Sequence, residues 1–209
     1  MEKYYEKSCD EFTALTLSKS PVPGGGSVAA LSGALGVSLS GMVASLTAGK
    51  KKYAGYEEDI ERILSEAEGY RQKFFQLMDE DMENFLPLSR AYGLPKGTEE
   101  EKRVRKEELD RCLRLAAKAP LEMMKTCSDC LSMFEELLLK GSRLALSDVG
   151  CGASEIRAAS DAAWLNALIN INMIEDDDFT EPVREEYGKL KKEIADRCDR
   201  IYQRVEESL

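Results

Sequence analysis

The chain has 209 residues, 43% hydrophobic and 33% charged, with 29 basic against 39 acidic side chains and a net charge of −10. So acidic a balance excludes general binding to nucleic acid or to an anionic membrane surface, and leaves only local clusters to hold an anion. Histidine is absent, so proton chemistry near neutral pH falls to carboxylate, lysine, tyrosine or cysteine.

The length suits one core, and neither a linker nor a repeat divides it, which predicts a single domain over residues 1–209. Met1 leads into "EKYYEKSCDEF", which is acidic and has no apolar run of the secretory kind, so the expected location is cytoplasmic. The six cysteines are scattered, as free thiols in a reducing compartment would be. One Cys-x-x-Cys, at 127–130, falls inside a helical pattern with no second pair, and no metal site is predicted.

In chain order, Tyr5, Cys9, Phe12 and Leu15 have helical spacing over 2–18, and Pro21 and Pro23 end that helix. After "PVPGGGS" comes a helix over 26–48, within a stretch from Ser20 to Gly49 that carries no charge. Residues 57–90 repeat apolar positions from Ile60 to Phe85, with a kink or end expected near Pro87. Thr98 and Glu101 form a capping-box pair that starts the next helix, expected to stop before Pro120. A separate helix then covers 121–140 and ends at Gly141. A second small-residue helix spans 149–174, with Asp148 and Ser147 as its N-cap, and the last follows "EDDDFTEP" with Thr180 or Asp178 capping. The sum is an all-α bundle of about seven helices.

The uncharged stretch is long enough to cross a bilayer, but its serines and glycines make it weakly apolar. Ser32, Gly36 and Ser40 line a face nearly bare of side chain, beside a second small strip of Ala30, Ala34 and Ser38. With Leu31, Leu35, Leu39 and Met42 opposite, the expected place is a central buried helix. Gly24, Gly25 and Gly26 admit close approach of a ligand to backbone N–H groups at a helix start, or serve a plain turn capped by Ser27. "GKKKY" at 49–53 is either solvated charge at a helix end or part of a site.

Taken together, "SPVPGGGSVAALSGALGVSLSGMVASLTAGKKKY", "DEDMENF" at 79–85, "LPKGTEEEKRVR" at 94–105, "KAPLEMM" at 118–124 and "KGSRLALSDVGCGASEIRAASDAAWLNALIN" at 140–170 resemble the cyclodeaminase/cyclohydrolase family. That family comprises the C-terminal domain of formiminotransferase-cyclodeaminase and stand-alone bacterial methenyltetrahydrofolate cyclohydrolases. Ser142, Cys151 and Ala167 depart from its usual Asn, Val and Val. The resemblance implies an all-helical homodimer whose folate cleft is formed by the glycine-rich and the Ser-Asp-x-Gly segments, with tetrahydrofolate as substrate and no permanently bound cofactor. It implies substrate contacts at Pro23, Gly24, Gly25, Gly26, Ser27, Ser147 and Gly150. Asn166 and Asn170, four apart on one face, need partners, either each other, a second copy or a pterin edge, and Lys50, Lys51 and Tyr53 suit the anionic tail or proton donation. Asp148 is the first candidate base, Asp81 the second, and Lys51 a catalytic donor. The expected activity is hydrolysis of 5,10-methenyltetrahydrofolate to the 10-formyl form. A cyclodeaminase releasing ammonia and a non-catalytic folate-binding dimer are the alternatives; no nucleic-acid or membrane partner is expected.

Overall fold

A computed structural model describes residues 3–209. It contains six α-helices: α1 (Cys9–Thr16), α2 (Gly25–Ser45), α3 (Glu57–Ala91), α4 (Glu99–Lys140), α5 (Leu146–Ile171) and α6 (Asp177–Glu206). Short 3-10 turns at Tyr4–Glu6, Lys51–Tyr56 and Arg143–Ala145 join them, and no strand occurs among the described residues. The all-helical class is as expected, but the count is six rather than about seven.

Proline is the reason. Pro120 does not separate two helices; it lies buried within the 42 residues of α4. A proline in a helix interior costs about 3 kcal/mol, and a helix packed along most of its length carries that penalty. Pro87 is likewise inside α3, which runs on to Ala91. At the other end of the chain α1 starts only at Cys9, because Ser8 and Glu11 close a capping box (Glu11 N–H to Ser8 Oγ 3.2 Å, Ser8 N–H to Glu11 Oε2 2.9 Å). Residue 2, placed in that helix by periodicity, lies outside the described residues. The Thr98–Glu101 box at the start of α4 forms as expected. Two caps differ. α5 begins at Leu146, so Asp148 sits in its first turn rather than at the N-cap. Asp176, not Asp178 or Thr180, caps α6 by accepting from the Phe179 N–H at 3.2 Å.

α2 is flanked by α3 and α5, with α4 packed on both of those and α6 closing over α4 and α5. Glycine and alanine make this possible. A Cβ at Gly36 would stand 2.9 Å from the Ile156 side chain and 3.0 Å from the Gly152 carbonyl, and one at Gly33 would meet the Phe74 ring. Gly25 lies against Asn166 while Gly36 lies against Ile156, so α2 and α5 run antiparallel. Phe74, Phe134, Ile60, Ile63, Val149 and Ile194 fill the main core.

The small face of α2 is buried in the bundle as expected, but small residues facing inward push the large ones outward. Leu35 is 52% and Met42 41% exposed, with Val28 and Leu46 beside them on the outer face. α2 is long and apolar enough to cross a bilayer (21 residues, mean hydropathy 1.6), yet over half of that stretch is buried against its own bundle. The Cys-x-x-Cys thiols point into the core, where Cys130 donates to the Cys127 carbonyl at 3.2 Å. Burial pushes the nearby Cys198 thiol up to about 12.

Candidate active site

The buried stripe of α3 runs Ile60, Ile63, Ala67, Phe74, Leu77, Met78 and Met82. Asp81 falls beside Met78 and Met82 on the same side of the helix, a carboxylate set into an apolar face. Of its neighbours, Glu80 accepts from Gln76 at 2.7 Å and Asp79 is half-buried, which raises its carboxyl above the usual value. The Asp81 carboxyl reaches across to α2 and occupies the space where a Cβ would stand on Gly26. That explains one glycine of the three. Gly25 is explained by Asn166, whose amide would be 2.9 Å from a Cβ there, whereas a Cβ at Gly24 would meet nothing within 4 Å.

Together these groups enclose a cavity of about 120 Å³ lined by Pro21, Val22, Gly24–Gly26, Asp81, Phe85, Ala116, Asn166, Ile169 and Asn170. Asn166 and Asn170 donate to the carbonyls four residues back (Ala162 at 2.8 Å, Asn166 at 2.9 Å), which leaves their own oxygens to accept from a ligand. Pro120 carries no N–H for the carbonyl of Ala116, another lining residue. Gly24 takes the N-cap position of α2 with no side-chain cap, so Ser27 lies inside the first turn and is not the cap. Pro23 is buried behind the cavity, joined to Val22 by a cis bond.

Burial pushes the Asp81 carboxyl up to about 6. The Ser27 hydroxyl beside it offsets part of that rise, although this buried oxygen has no hydrogen bond of good geometry among the described residues. No cation contributes to the balance. The result is a carboxylate that is ionised at pH 7 yet basic enough to take a proton, the property a general base needs where histidine is missing. Gly26→Ala is expected to displace the Asp81 side chain. Turnover should fall by at least tenfold while the helical circular dichroism persists; full activity in this variant would show that the Asp81 position is not critical.

A larger groove of about 950 Å³ opens nearby, between the first half of α4 and the end of α5. Most of its cations are tied to carboxylates: Lys102 to Glu99, Arg103 to Glu100, Lys106 to Glu175 and Arg114 to Asp110 and Asp176. The smaller cavity differs in holding a carboxyl with no ion pair among the described residues.

The other residues singled out by sequence stand elsewhere in the chain. Asp148 lies 18 residues before Asn166 on α5, which is roughly 27 Å along the helix axis at about 1.5 Å per residue. Near it, Lys50 Nζ is 3.3 Å from Ser142 Oγ, and the Tyr53 hydroxyl accepts from the Arg143 N–H at 3.1 Å. That backbone N–H holds the Tyr53 phenol below its usual value. Lys51 begins the 3-10 turn that carries Tyr53. Gly150 packs against Val205 of α6, and Ser147 is exposed one residue before Asp148. One end of the α2–α5 pair thus gathers Gly24–Ser27, Asp81, Asn166 and Asn170, and the other gathers Lys50, Lys51, Tyr53, Ser147 and Asp148. Sequence reasoning missed Pro21, Val22, Phe85, Ala116 and Ile169. Phe85 stands one turn after Asp81, a spacing that could have pointed to it.

A helical bundle that holds a lone carboxylate under a glycine-rich helix start is the class of protein these features define. Residues 8–189 match the sequence profile of the formiminotransferase-cyclodeaminase family, and the chain belongs to that family. It is 36% identical to the methenyltetrahydrofolate cyclohydrolase of Methylorubrum extorquens, with 90% of each chain covered. It is 31% identical to the formimidoyltransferase-cyclodeaminase of Sus scrofa, but there it spans only 35% of the longer protein. The crystal structure of a formiminotetrahydrofolate cyclodeaminase from Thermotoga maritima superimposes with a TM-score of 0.81 at 31% identity, covering 98% of this chain and 96% of that one.

Proposed function

We propose that this protein is a methenyltetrahydrofolate cyclohydrolase, with Asp81 as the general base. The observation that carries the reading is the single carboxyl, raised to about 6, at the floor of a cavity that offers it no cation. The substrate supplies the missing charge. Its amidinium carbon is cationic, so it is drawn to Asp81, and the carboxylate removes a proton from the water that attacks this carbon. The neutral adduct then breaks its bond to N5; N5 takes a proton, the adduct hydroxyl loses one, and the formyl group stays on N10. Net, one water is consumed and one proton released. The Asn166 and Asn170 oxygens suit the N–H edge of the pterin.

The second reading, a cyclodeaminase, uses the same carboxylate to assist N10 in attacking a formimino carbon, after which ammonia leaves. The relatives in Sus scrofa and Thermotoga maritima favour it. Whichever reaction it performs, the protein works as a homodimer in the cytosol. Support comes from its six free cysteines and from the uncharged outer face of α2, where Leu35, Met42 and Leu46 are exposed beside Leu165 and Ile169 of α5.

The deciding experiment follows the absorbance of 5,10-methenyltetrahydrofolate, corrected for spontaneous hydrolysis, alongside ammonia release from 5-formiminotetrahydrofolate. Enzyme-dependent loss of the methenyl band is the expected result. Ammonia release without that loss moves the assignment to the deaminase, and inactivity on both substrates rejects a catalytic role.

A further inference from the structure

We infer that the groove between α4 and the end of α5 seats the benzoyl-glutamate tail of the substrate, with Arg105 and Lys96 holding its outer carboxylates. The inference rests on the folate-processing reading above and names the part of this chain that takes what the Asp81 cavity cannot.

Size comes first. The Asp81 cavity measures about 120 Å³, whereas sites that enclose a drug-sized ligand run to about 300–1,000 Å³. The cavity has room for a reacting centre, and the rest of a folate lies outside it. The groove of about 950 Å³ is its continuation. On α4, Ala116 lines the cavity and Leu113, one turn earlier, lines the groove. On α5, Asn170 lines the cavity, and Met173, just past the end of that helix, lines the groove. The two helices therefore act as paired rails that lead out of the cavity in one direction.

The chemistry changes along that path as the chemistry of the tail does. Close to the cavity, Leu113, Leu109 and Met173 form an apolar bed for the benzoyl ring. At the far end, Arg105 and Lys96 are the lining cations that no carboxylate engages among the described residues. Arg105 is half-buried; one terminal nitrogen donates to the Tyr92 carbonyl at 3.4 Å, and its Nε is buried with no acceptor. A buried guanidinium nitrogen left unpaired is costly, and a ligand carboxylate supplies what it lacks. Arg105 stands eleven residues from Ala116 on α4, about 16 Å along the axis. A benzoyl ring with one glutamate spans roughly 10 Å at ordinary bond lengths, so a second γ-linked glutamate brings its carboxylates to Arg105. The Lys106–Glu175 pair that bridges the groove is exposed on both sides, and such a pair opens at little cost.

Kinetics and fragment binding test this together. In the wild type, KM for 5,10-methenyltetrahydrofolate should be several-fold lower with two glutamates than with one. Arg105→Gln should remove that difference, raising KM for the diglutamate about tenfold, the size of a lost hydrogen bond to a charged group, with the loss in KM rather than kcat. Lys96→Gln lies in an exposed loop, so it reports even where the arginine variant fails to fold; it should act in the same direction. Equal KM values for the two substrates in the wild type overturn the proposal. So does an unchanged KM in Lys96→Gln and Arg105→Gln, or a rise that follows Lys50→Gln and neither of these. Calorimetric titration with p-aminobenzoyl-triglutamate at millimolar concentration reads the groove without turnover. Binding that weakens in Lys96→Gln and Arg105→Gln is expected, and no binding to the wild type overturns the proposal. If the wild type turns over neither folate yet binds the fragment through Arg105, the functional reading fails and the groove stands.

Discussion

Asp81→Asn is expected to lower the hydrolysis rate by roughly 10²–10⁴-fold, the usual range for loss of a positioned general base. The same change should make the protein more stable, which a merely structural role would not predict. The folded-state carboxyl titrates near 6 rather than at the ordinary 3.8 because burial penalises its charge. The native state therefore binds this proton more tightly than the unfolded chain does. Stability is greatest below the unfolded value and declines as pH rises toward 6, after which the penalty is fully present. A carboxyl raised that far carries a penalty on the order of 2–3 kcal/mol above pH 6. Asparagine removes the charge at nearly the same shape. Urea denaturation at pH 8 should show the variant more stable than wild type, and at pH 4 the two should converge. A variant that is inactive and less stable at pH 8 would mean that Asp81 holds the fold rather than performing chemistry in it.

The second large effect concerns the contact between α2 and α5. A Cβ at Gly152 would lie 2.6 Å from the Phe134 ring and 2.9 Å from the Gly36 carbonyl. A ring can turn, but a carbonyl in the middle of a packed helix cannot withdraw. Gly152→Val is therefore expected to destabilise the protein by about 1–3 kcal/mol through overpacking. Gly188 provides the contrast: it is an exposed glycine in α6 with nothing within 4 Å of its would-be Cβ. Gly188→Ala should stabilise by roughly 0.5–1 kcal/mol, the ordinary gain for replacing a mid-helix glycine. Equal denaturation midpoints for Gly152→Val and wild type would show that the two helices do not approach as described.

Much of this architecture is legible in residue patterns. Helical periodicity locates each long helix, and the Thr98–Glu101 pair marks a true start. Pro120 misleads because a local rule about backbone sterics says nothing of the tertiary packing that carries a helix through it. The small faces of α2 are visible as spacing. Which side of that helix meets the core is not, because Leu35 and Met42 look like core residues until the need of Gly33 and Gly36 for close neighbours is known. Asp81 and Asp148 are both candidate bases by sequence, and only the antiparallel course of α2 and α5 shows that they lie at opposite ends of the chain's fold. The environment of Asp81 is hidden for a similar reason. Among the acids of "DEDMENF" its face can be inferred from phase, but its contact with Gly26, in a helix more than fifty residues earlier, is a fact of the folded chain.

The role of Asp81 as base is tested most directly by the pH dependence of kcat/KM for hydrolysis of 5,10-methenyltetrahydrofolate, taken from initial rates and corrected for the uncatalysed reaction. This parameter reports the ionisations of the free enzyme. The rate should fall tenfold per pH unit on the acid side, with an inflection near 6 where the Asp81 carboxyl takes up its proton. A profile that stays level from pH 5 to 8 would contradict that role, since a base with that titration could not then be taking the proton from water.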